Sequence, residues 1–191
     1  LDDSQPWTFE DLFNLPKMLA LSAAFQWGVA FFEMDSDKIL KGEIKWREKK
    51  QFIKEFLKKG FRQVFKEYMF LPLLGLITGA AIPVLIGNLV SNVIRNLWAS
   101  SVIFCGHFPD GVHTFSEEEC ENESKGHWYY RQILGSCNFK GRSWLHLMSG
   151  HLSFQVEHHL FPDIPAHRYR EMAPKVKAVC DQYGIAYNSD S

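Results

Sequence analysis

The first 106 residues of this 191-residue chain contain no histidine, so that stretch offers no imidazole for proton transfer or metal binding. The four cysteines, Cys105, Cys120, Cys137 and Cys180, show no CxxC spacing, which removes the common zinc-ribbon and dithiol patterns. No secretory signal core is evident, so reduced thiols in a cytoplasm-facing protein are expected in preference to a Cys120–Cys137 disulfide. Neither sign of charge is in excess: 21 basic and 22 acidic side chains give a net charge of −1, and bulk electrostatics indicate no nucleic-acid partner. No repeat or low-complexity tract occurs. The opening Leu1-Asp2-Asp3-Ser4 has no initiator Met, basic region or apolar core, and is expected to be the interior of a longer chain.

A local absence says more. From Leu71 to Ile94, 24 residues carry no charge at all, long enough for a membrane segment. Apolar character continues through Arg95 to Phe108, and Pro83 is expected to kink the run or divide it into two arms. Leu12 to Phe32 carries only Lys17, which could snorkel to a headgroup layer, so residues 12–33 are read as a second membrane segment in preference to a buried soluble helix. Between them, residues 34–69 are polar. From Lys45 to Lys66 there are nine Lys/Arg against Glu48 and Glu55. Ile53, Leu57, Phe61, Val64 and Tyr68 recur at spacings of three and four, giving one apolar stripe on a cationic helix. Such a helix suits an anionic membrane surface, or else packs on a core. The basic stretch should face the cytoplasm. Either residues 70–107 enter and leave on one side, or the two apolar runs each cross once.

Two sets of residues carry chemistry. In a helix over Val84–His107, Asn92, Asn96, Ser100 and His107 fall within one wedge of roughly 80 degrees, with Arg95 on its flank. Polar groups there serve either a functional cavity or helix–helix hydrogen bonding. The wedge ends at His107 on the polar boundary, which favours a site. The second set is His151-Leu-Ser-Phe-Gln155-Val-Glu-His158-His159-Leu-Phe-Pro162. Read as one helix ending before Pro162, it places His151, Gln155, His158 and His159 on one face, where neutral imidazoles one turn apart suit iron or zinc.

The segment Gln155-Val-Glu-His158-His159-Leu-Phe-Pro162 resembles the third histidine box of membrane fatty acyl desaturases in its Q-x-x-H-H form. The run Asn92-Val-Ile-Arg95-Asn96-Leu-Trp98 through Phe104-Cys105-Gly106-His107-Phe108-Pro109-Asp110-Gly111 is similar to the last membrane helix of bacterial acyl-CoA desaturases of the linoleoyl/stearoyl type. The likeness extends from about Leu12 through Tyr187. It implies an all-α fold: integral-membrane helices plus a cytoplasmic helical cap, residues 108–191, forming with the rest a single desaturase domain over 1–191. It also implies a multi-pass membrane protein with its histidine-rich region facing the cytoplasm.

For chemistry, the resemblance implies oxygen-dependent insertion of a double bond into a fatty acyl chain at a di-iron centre. His107, His158 and His159 are the implied metal ligands, and Gln155 a catalytic residue orienting a ligand or metal-bound water. Acyl-CoA is the implied substrate, membrane lipid the surroundings, and a separate NADPH-linked electron-transfer protein the source of electrons. His146 and His151 are assigned to supporting or packing duty. The family's two earlier boxes, H-x-x-x-H and H-x-x-H-H, are not present here, so the chain is read as a carboxy-terminal portion with part of the metal site and no activity by itself. The competing readings are an acyl hydroxylase on the same scaffold, and a non-catalytic metal-binding or scaffold protein. The glutamate-rich segment around Glu117–Glu123 is expected to be a solvated loop, not a zinc site. Pro165 to Tyr183 reads as a helix capped by Gly184, with Tyr169, Met172, Val176, Val179 and Tyr183 facing inward over the metal site.

The uncharged run carries a direct test. The chain should stay with carbonate-washed membranes and require detergent for extraction; quantitative recovery as a soluble monomer would contradict a membrane segment.

Overall fold

The uncharged run from Leu71 does not form one continuous rod, because the backbone turns over at Gly79, where φ is +72°. A residue without Cβ adopts that conformation without steric cost. Pro83, the expected breaking point, instead sits in the first turn of the helix that follows, where its missing N–H removes no helical hydrogen bond. The computed structural model describes residues 8–189, and all their regular structure is helical. The chain divides into two compact units, Leu1–Trp98 and Ala99–Ser191, the division falling within one helix.

The first unit opens with a 3-10 turn, Phe9–Phe13, in which Thr8 and Asp11 cap each other. It continues through α1 (Asn14–Ala23), α2 (Phe25–Glu33), α3 (Ser36–Leu40) and α4 (Lys50–Phe65). A π-helical turn, Lys66–Phe70, leads into α5 (Leu71–Gly75) and a second 3-10 turn, Leu76–Thr78. Then comes α6 (Ala81–His107), the longest helix described. Among the described residues no single helix is long and apolar enough to cross a membrane. The stretches Asp11–Ala23 and Phe25–Glu33 meet that requirement only as a pair, bent by 92°.

The basic helix α4 carries two apolar stripes. The expected one, through Leu57, Phe61 and Val64, is exposed. The packed one runs through Phe56, which meets Trp27 edge-on at 5.7 Å and Phe31 at 5.8 Å. Gly60, one turn on, lets the helices approach, since a Cβ there would lie 3.1 Å from the Trp27 ring.

The polar wedge of α6 divides by role. Asn96 bridges the break between α1 and α2: its amide donates to the Ala23 carbonyl (2.9 Å) and accepts from the Gln26 N–H (3.3 Å). These are backbone groups that a broken helix leaves without partners. Asn92 donates to Glu67 Oε2 (2.7 Å) and to the Tyr68 hydroxyl (2.9 Å), and Asn88 donates to the Glu67 carbonyl, so both tie α6 to the π-helical turn. Asn92 and Asn96 therefore act as interhelical hydrogen-bonding groups, contrary to their expected place in a site. His107, the last residue of α6, instead lies with its Nε2 3.1 Å from that of His159.

The second unit holds α7 (Glu117–Cys120), α8 (Lys125–Leu134), α9 (Ser143–Met148), α10 (Gln155–Leu160) and α11 (Tyr169–Tyr183). Helix α8 begins where Ser124 Oγ accepts from the His127 N–H at 3.1 Å. Ile133 of α8, Val156 and Leu160 of α10, and Cys180 of α11 form the core, with Tyr129, Val176, Ile185 and Tyr187 packed around it. Helix α11 ends at Gly184 in the left-handed conformation, as its sequence indicates. Its inward face differs from expectation in the last two turns: Val179 and Tyr183 are exposed, and Cys180 is buried in their place. Packing against the short α10 selects the i, i+3, i+7, i+11 series Tyr169, Met172, Val176, Cys180.

Asn96→Ala would remove the partner of the half-buried Ala23 carbonyl and Gln26 N–H, and is expected to lower stability by about 1 kcal/mol. Thermal unfolding of both forms in one detergent checks this; an unchanged midpoint would contradict the bridging role.

Candidate functional site

Helix α10 is only six residues long, yet it carries three of the four predicted site residues, and α6 delivers the fourth at its end. His107 Nε2 and His159 Nε2 lie 3.1 Å apart. The Gln155 amide nitrogen is 3.0 Å from His159 Nε2 and 3.5 Å from His107 Nε2. The two rings meet at 63° with centroids 5.0 Å apart, an edge-on approach suited to sharing a ligand between nitrogens, unlike ring stacking.

The opposite nitrogens explain the orientation. His107 Nδ1 donates to the Ile103 carbonyl one turn back (3.0 Å), and His159 Nδ1 donates to Gln132 Oε1 (2.9 Å). Each bond fixes the proton on Nδ1 and leaves a lone pair on Nε2. Burial, with His107 and His158 nearby, lowers the His159 pKa to about 4, so this imidazole is neutral at ordinary pH. Neutral imidazole held by a bond at its far nitrogen is the form that ligates metals.

Two lone pairs facing each other at 3.1 Å repel, and the Gln155 amide N–H, which donates to His159 Nε2 at 3.0 Å, eases this on the His159 side. A first-row metal ion bound to imidazole at about 2.1 Å brings neighbouring donors to about 3 Å from each other, close to the observed separation. The arrangement therefore fits part of a metal shell, with two imidazole nitrogens directed to one place and the Gln155 amide N–H beside them. Among the described residues no group of three or more His, Cys, Asp or Glu side chains is assembled to hold an ion.

His158 stands beside this set and does not join it. Its ring is perpendicular to that of His159, with centroids 5.7 Å apart, and its Nδ1 lies 3.5 Å from the Tyr169 hydroxyl. Tyr169 is itself anchored by donating to the Phe161 carbonyl at 3.2 Å. Burial, then the electrostatic influence of nearby His107, lowers the pKa of His158 too.

His151 is not on the helical face assigned to it. Helix α10 begins at Gln155, and Gly150 and His151 both have φ of +62° in the preceding turn. The left-handed conformation costs a residue with a side chain on the order of 1–2 kcal/mol. His151 Nδ1 is buried with no hydrogen-bond partner. His146 packs as expected, its Nδ1 2.6 Å from Ser153 Oγ and its ring stacked on Phe154. His127 lies by Glu123, at 3.4 Å, within the acidic segment.

Sequence reasoning missed four residues that hold the site. Gln132 sits on α8, an element hidden by its polar composition, although Tyr129 and Ile133 mark an inward stripe one turn apart. Glu157, the third letter of the box, is fully buried. It accepts from Asn138 Nδ2 (2.7 Å) and from the Tyr187 hydroxyl (2.9 Å). Asn138 also donates to the Tyr187 oxygen (2.6 Å) and accepts from the Val156 N–H (2.9 Å). Burial raises the Glu157 pKa against the lowering effect of these bonds, and burial beside Glu157 raises that of Tyr187. The knot joins three segments distant in sequence, so no local pattern announces it.

A family model described as "Fatty acid desaturase" matches residues 3–191. The chain is 43% identical over 189 residues to an NADPH-dependent stearoyl-CoA 9-desaturase of Mycobacterium tuberculosis, covering 98% of this chain and 44% of that protein. It is 36% identical over 95 residues to fatty acid desaturase 3 of Bos taurus, covering 50% of this chain and 20% of that protein, and 34% identical over 95 residues to the human protein of the same name. The chain thus spans less than half the length of these relatives. No solved structure matches it.

Two substitutions probe the supports. Gln132→Leu removes the acceptor that fixes His159 and is expected to weaken metal binding about 10–100-fold. A Cβ at Gly106 would lie 2.9 Å from Gln155 Cγ, so Gly106→Ala should displace the amide. Metal titration of each variant checks both effects; wild-type affinity in both would show that these supports do not matter.

Proposed function

The chain belongs to the fatty acid desaturase family, and from that premise we propose that it supplies part of the metal site of an acyl desaturase, an oxidoreductase that inserts a double bond into an acyl-CoA with dioxygen at a di-iron centre. The observation that carries the proposal is the 3.1 Å approach of His107 and His159 Nε2, with both Nδ1 atoms already committed. In this reading His107, His158 and His159 all hold metal, although His158 is turned toward Tyr169 here, and the remaining donors come from histidines outside this chain.

When bound, iron supplies the oxidising power that removal of hydrogen from an unactivated carbon chain demands. The reaction balances when one dioxygen takes two electrons and two protons from the acyl chain and two electrons from NADPH with their protons, giving two waters. NADPH as the source of the electrons is in keeping with the name of the mycobacterial relative, and in this reading they arrive through a separate redox protein.

The residues of the chain prepare the site for that chemistry. His159, neutral and with its Nδ1 proton given to Gln132, has none to lose on binding, and His107 is held by the Ile103 carbonyl with its Nε2 toward the same place. Gln155, 4% exposed and wedged against Gly106, orients a ligand or bound water through its amide; a neutral amide is a poor iron ligand beside imidazole. Glu157 anchors α10 from the opposite side through Asn138 and Tyr187.

The proposal extends to the membrane. Exposed apolar side chains on α6, among them Ile82, Ile86, Leu89 and Ile94, together with the exposed stripe of α4, give an acyl chain a surface to travel along. In this reading the apolar helices of the first unit enter the bilayer, α4 lies at its cytoplasmic surface, and the histidine-bearing region faces the cytoplasm.

Single replacements of His107, His158 and His159 by Ala should each lower bound iron and abolish desaturation in the intact protein. Gln155→Ala should retain more iron than His159→Ala yet lose most turnover. Iron analysis and product chromatography check this. Full iron and activity in His159→Ala would refute the proposal, and equal iron loss in Gln155→Ala and His159→Ala would make Gln155 a direct ligand.

A further inference from the structure

Two rows of side chains run side by side along α4, each at a spacing of four residues. Leu57, Phe61 and Phe65 form an apolar row, exposed by 61%, 72% and 43%, with the rings of Phe61 and Phe65 stacked at 5.9 Å. Lys50, Lys54, Lys58 and Arg62 form a cationic row, exposed along its whole length. Residues four apart are separated by about 6 Å along a helix axis, so this row presents a positive charge at each step over about 18 Å. The cations that flank it have acidic partners: Lys49 pairs with Asp35 at 2.5 Å, and Lys66 with Glu67 at 3.7 Å. None of the four side chains in the row forms an ion pair among the described residues. Glu55, the one acid of α4, accepts instead from Gln51 at 2.7 Å.

We infer that α4 binds the headgroups of negatively charged phospholipids, with its cationic row on their phosphates and its apolar row in the acyl boundary beneath. A bilayer of that charge answers both rows at once, since a basic helix with an apolar face lies in the interface plane. Nucleic acid would answer the cations alone and leave Leu57 and Phe61 in water. Position along the chain agrees. The basic residues stop at Lys66, and no charge occurs from Leu71 to Ile94, so α4 stands where the chain passes from polar to apolar surroundings. A basic cluster at such a boundary attracts anionic lipid, on the order of fivefold in affinity for each cation near the surface. Trp46, just ahead of α4, is exposed too, with the Arg47 guanidinium 5.9 Å from its ring centre, and an amphipathic ring of this kind suits the same layer. The opposite face of α4 stays on protein through Phe56 and Gly60 against Trp27, so lipid can bind without disturbing that packing.

Helix α4 meets this partner because it lies at the bilayer surface, so the inference rests on that reading and names the lipid that holds the helix there. The intact purified protein is placed in phosphatidylcholine vesicles that carry a trace of spin-labelled phosphatidylglycerol or spin-labelled phosphatidylcholine. Electron paramagnetic resonance separates lipid immobilised at the protein from free lipid and gives the preference between the two headgroups. Phosphatidylglycerol should be preferred about fourfold in about 0.1 M salt and less than about twofold in about 1 M salt, where charges are screened within about 3 Å. Lys54→Gln, Lys58→Gln and Arg62→Gln together should bring the preference below about twofold at low salt. Lys125→Gln, Arg170→Gln and Lys175→Gln together remove as much charge from exposed positions of the second unit and should leave it intact. Immobilised lipid with no preference between headgroups would overturn the inference, assign the row to a protein surface and leave the membrane reading standing. A preference that survives high salt, or survives the α4 replacements, would overturn it as well. Absence of immobilised lipid of either kind would overturn the membrane reading and the inference with it.

Discussion

His107 and His159 bring their Nε2 atoms to 3.1 Å from each other, with the Gln155 amide nitrogen 3.0 Å from one and 3.5 Å from the other, and the second unit is arranged to hold them in that position. The residues are 52 positions apart, so the approach is a product of tertiary structure. His107 comes from the last turn of α6, fixed by the Ile103 carbonyl within its own helix. His159 comes from α10, fixed by Gln132 across on α8. Gly106 allows α10 to come close, since any side chain there would meet Gln155. Its carbonyl accepts from the Cys137 N–H at 2.9 Å, which ties the end of α6 to the segment bearing Asn138.

A helix of six residues is too short to be stable alone, so α10 depends on what surrounds it. Val156 and Leu160 bury its apolar side in the core with Ile133 and Cys180. Glu157 points a carboxyl into a fully buried place, which is tolerable only because Asn138 and Tyr187 donate to both of its oxygens. Through Tyr187 the last described segment of the chain becomes part of the support for the histidine box. The Asn138 N–H donates to the Asn188 carbonyl at 2.9 Å, which reinforces that connection.

The histidine box and the terminal position of His107 were legible in the sequence because each is a local pattern: adjacent histidines before Leu-Phe-Pro, and a histidine where an apolar run meets Pro109. The all-helical architecture followed from the resemblance that these motifs carry, and periodicity marked individual helices such as α4. Three things were not legible. Asn92 and Asn96 share a face with His107, yet their partners, Glu67, Tyr68 and the backbone at Ala23 and Gln26, lie on other elements, and periodicity carries no information about those. Gly79 turns the uncharged run because a positive φ is needed there, whereas Pro83 is accommodated within a first turn. His151 falls off the box helix because two consecutive left-handed residues precede it, an arrangement that a helical wheel cannot anticipate.

The central claim is that His107 and His159 serve one metal ion together. A double-mutant cycle on metal affinity tests it most directly, using His107→Ala, His159→Ala and the combination, titrated with ferrous iron under anaerobic conditions. If both donors serve one ion, either single replacement removes most of the affinity and the second adds far less than its separate effect. Losses that multiply independently would place the two histidines at separate ions and contradict the account.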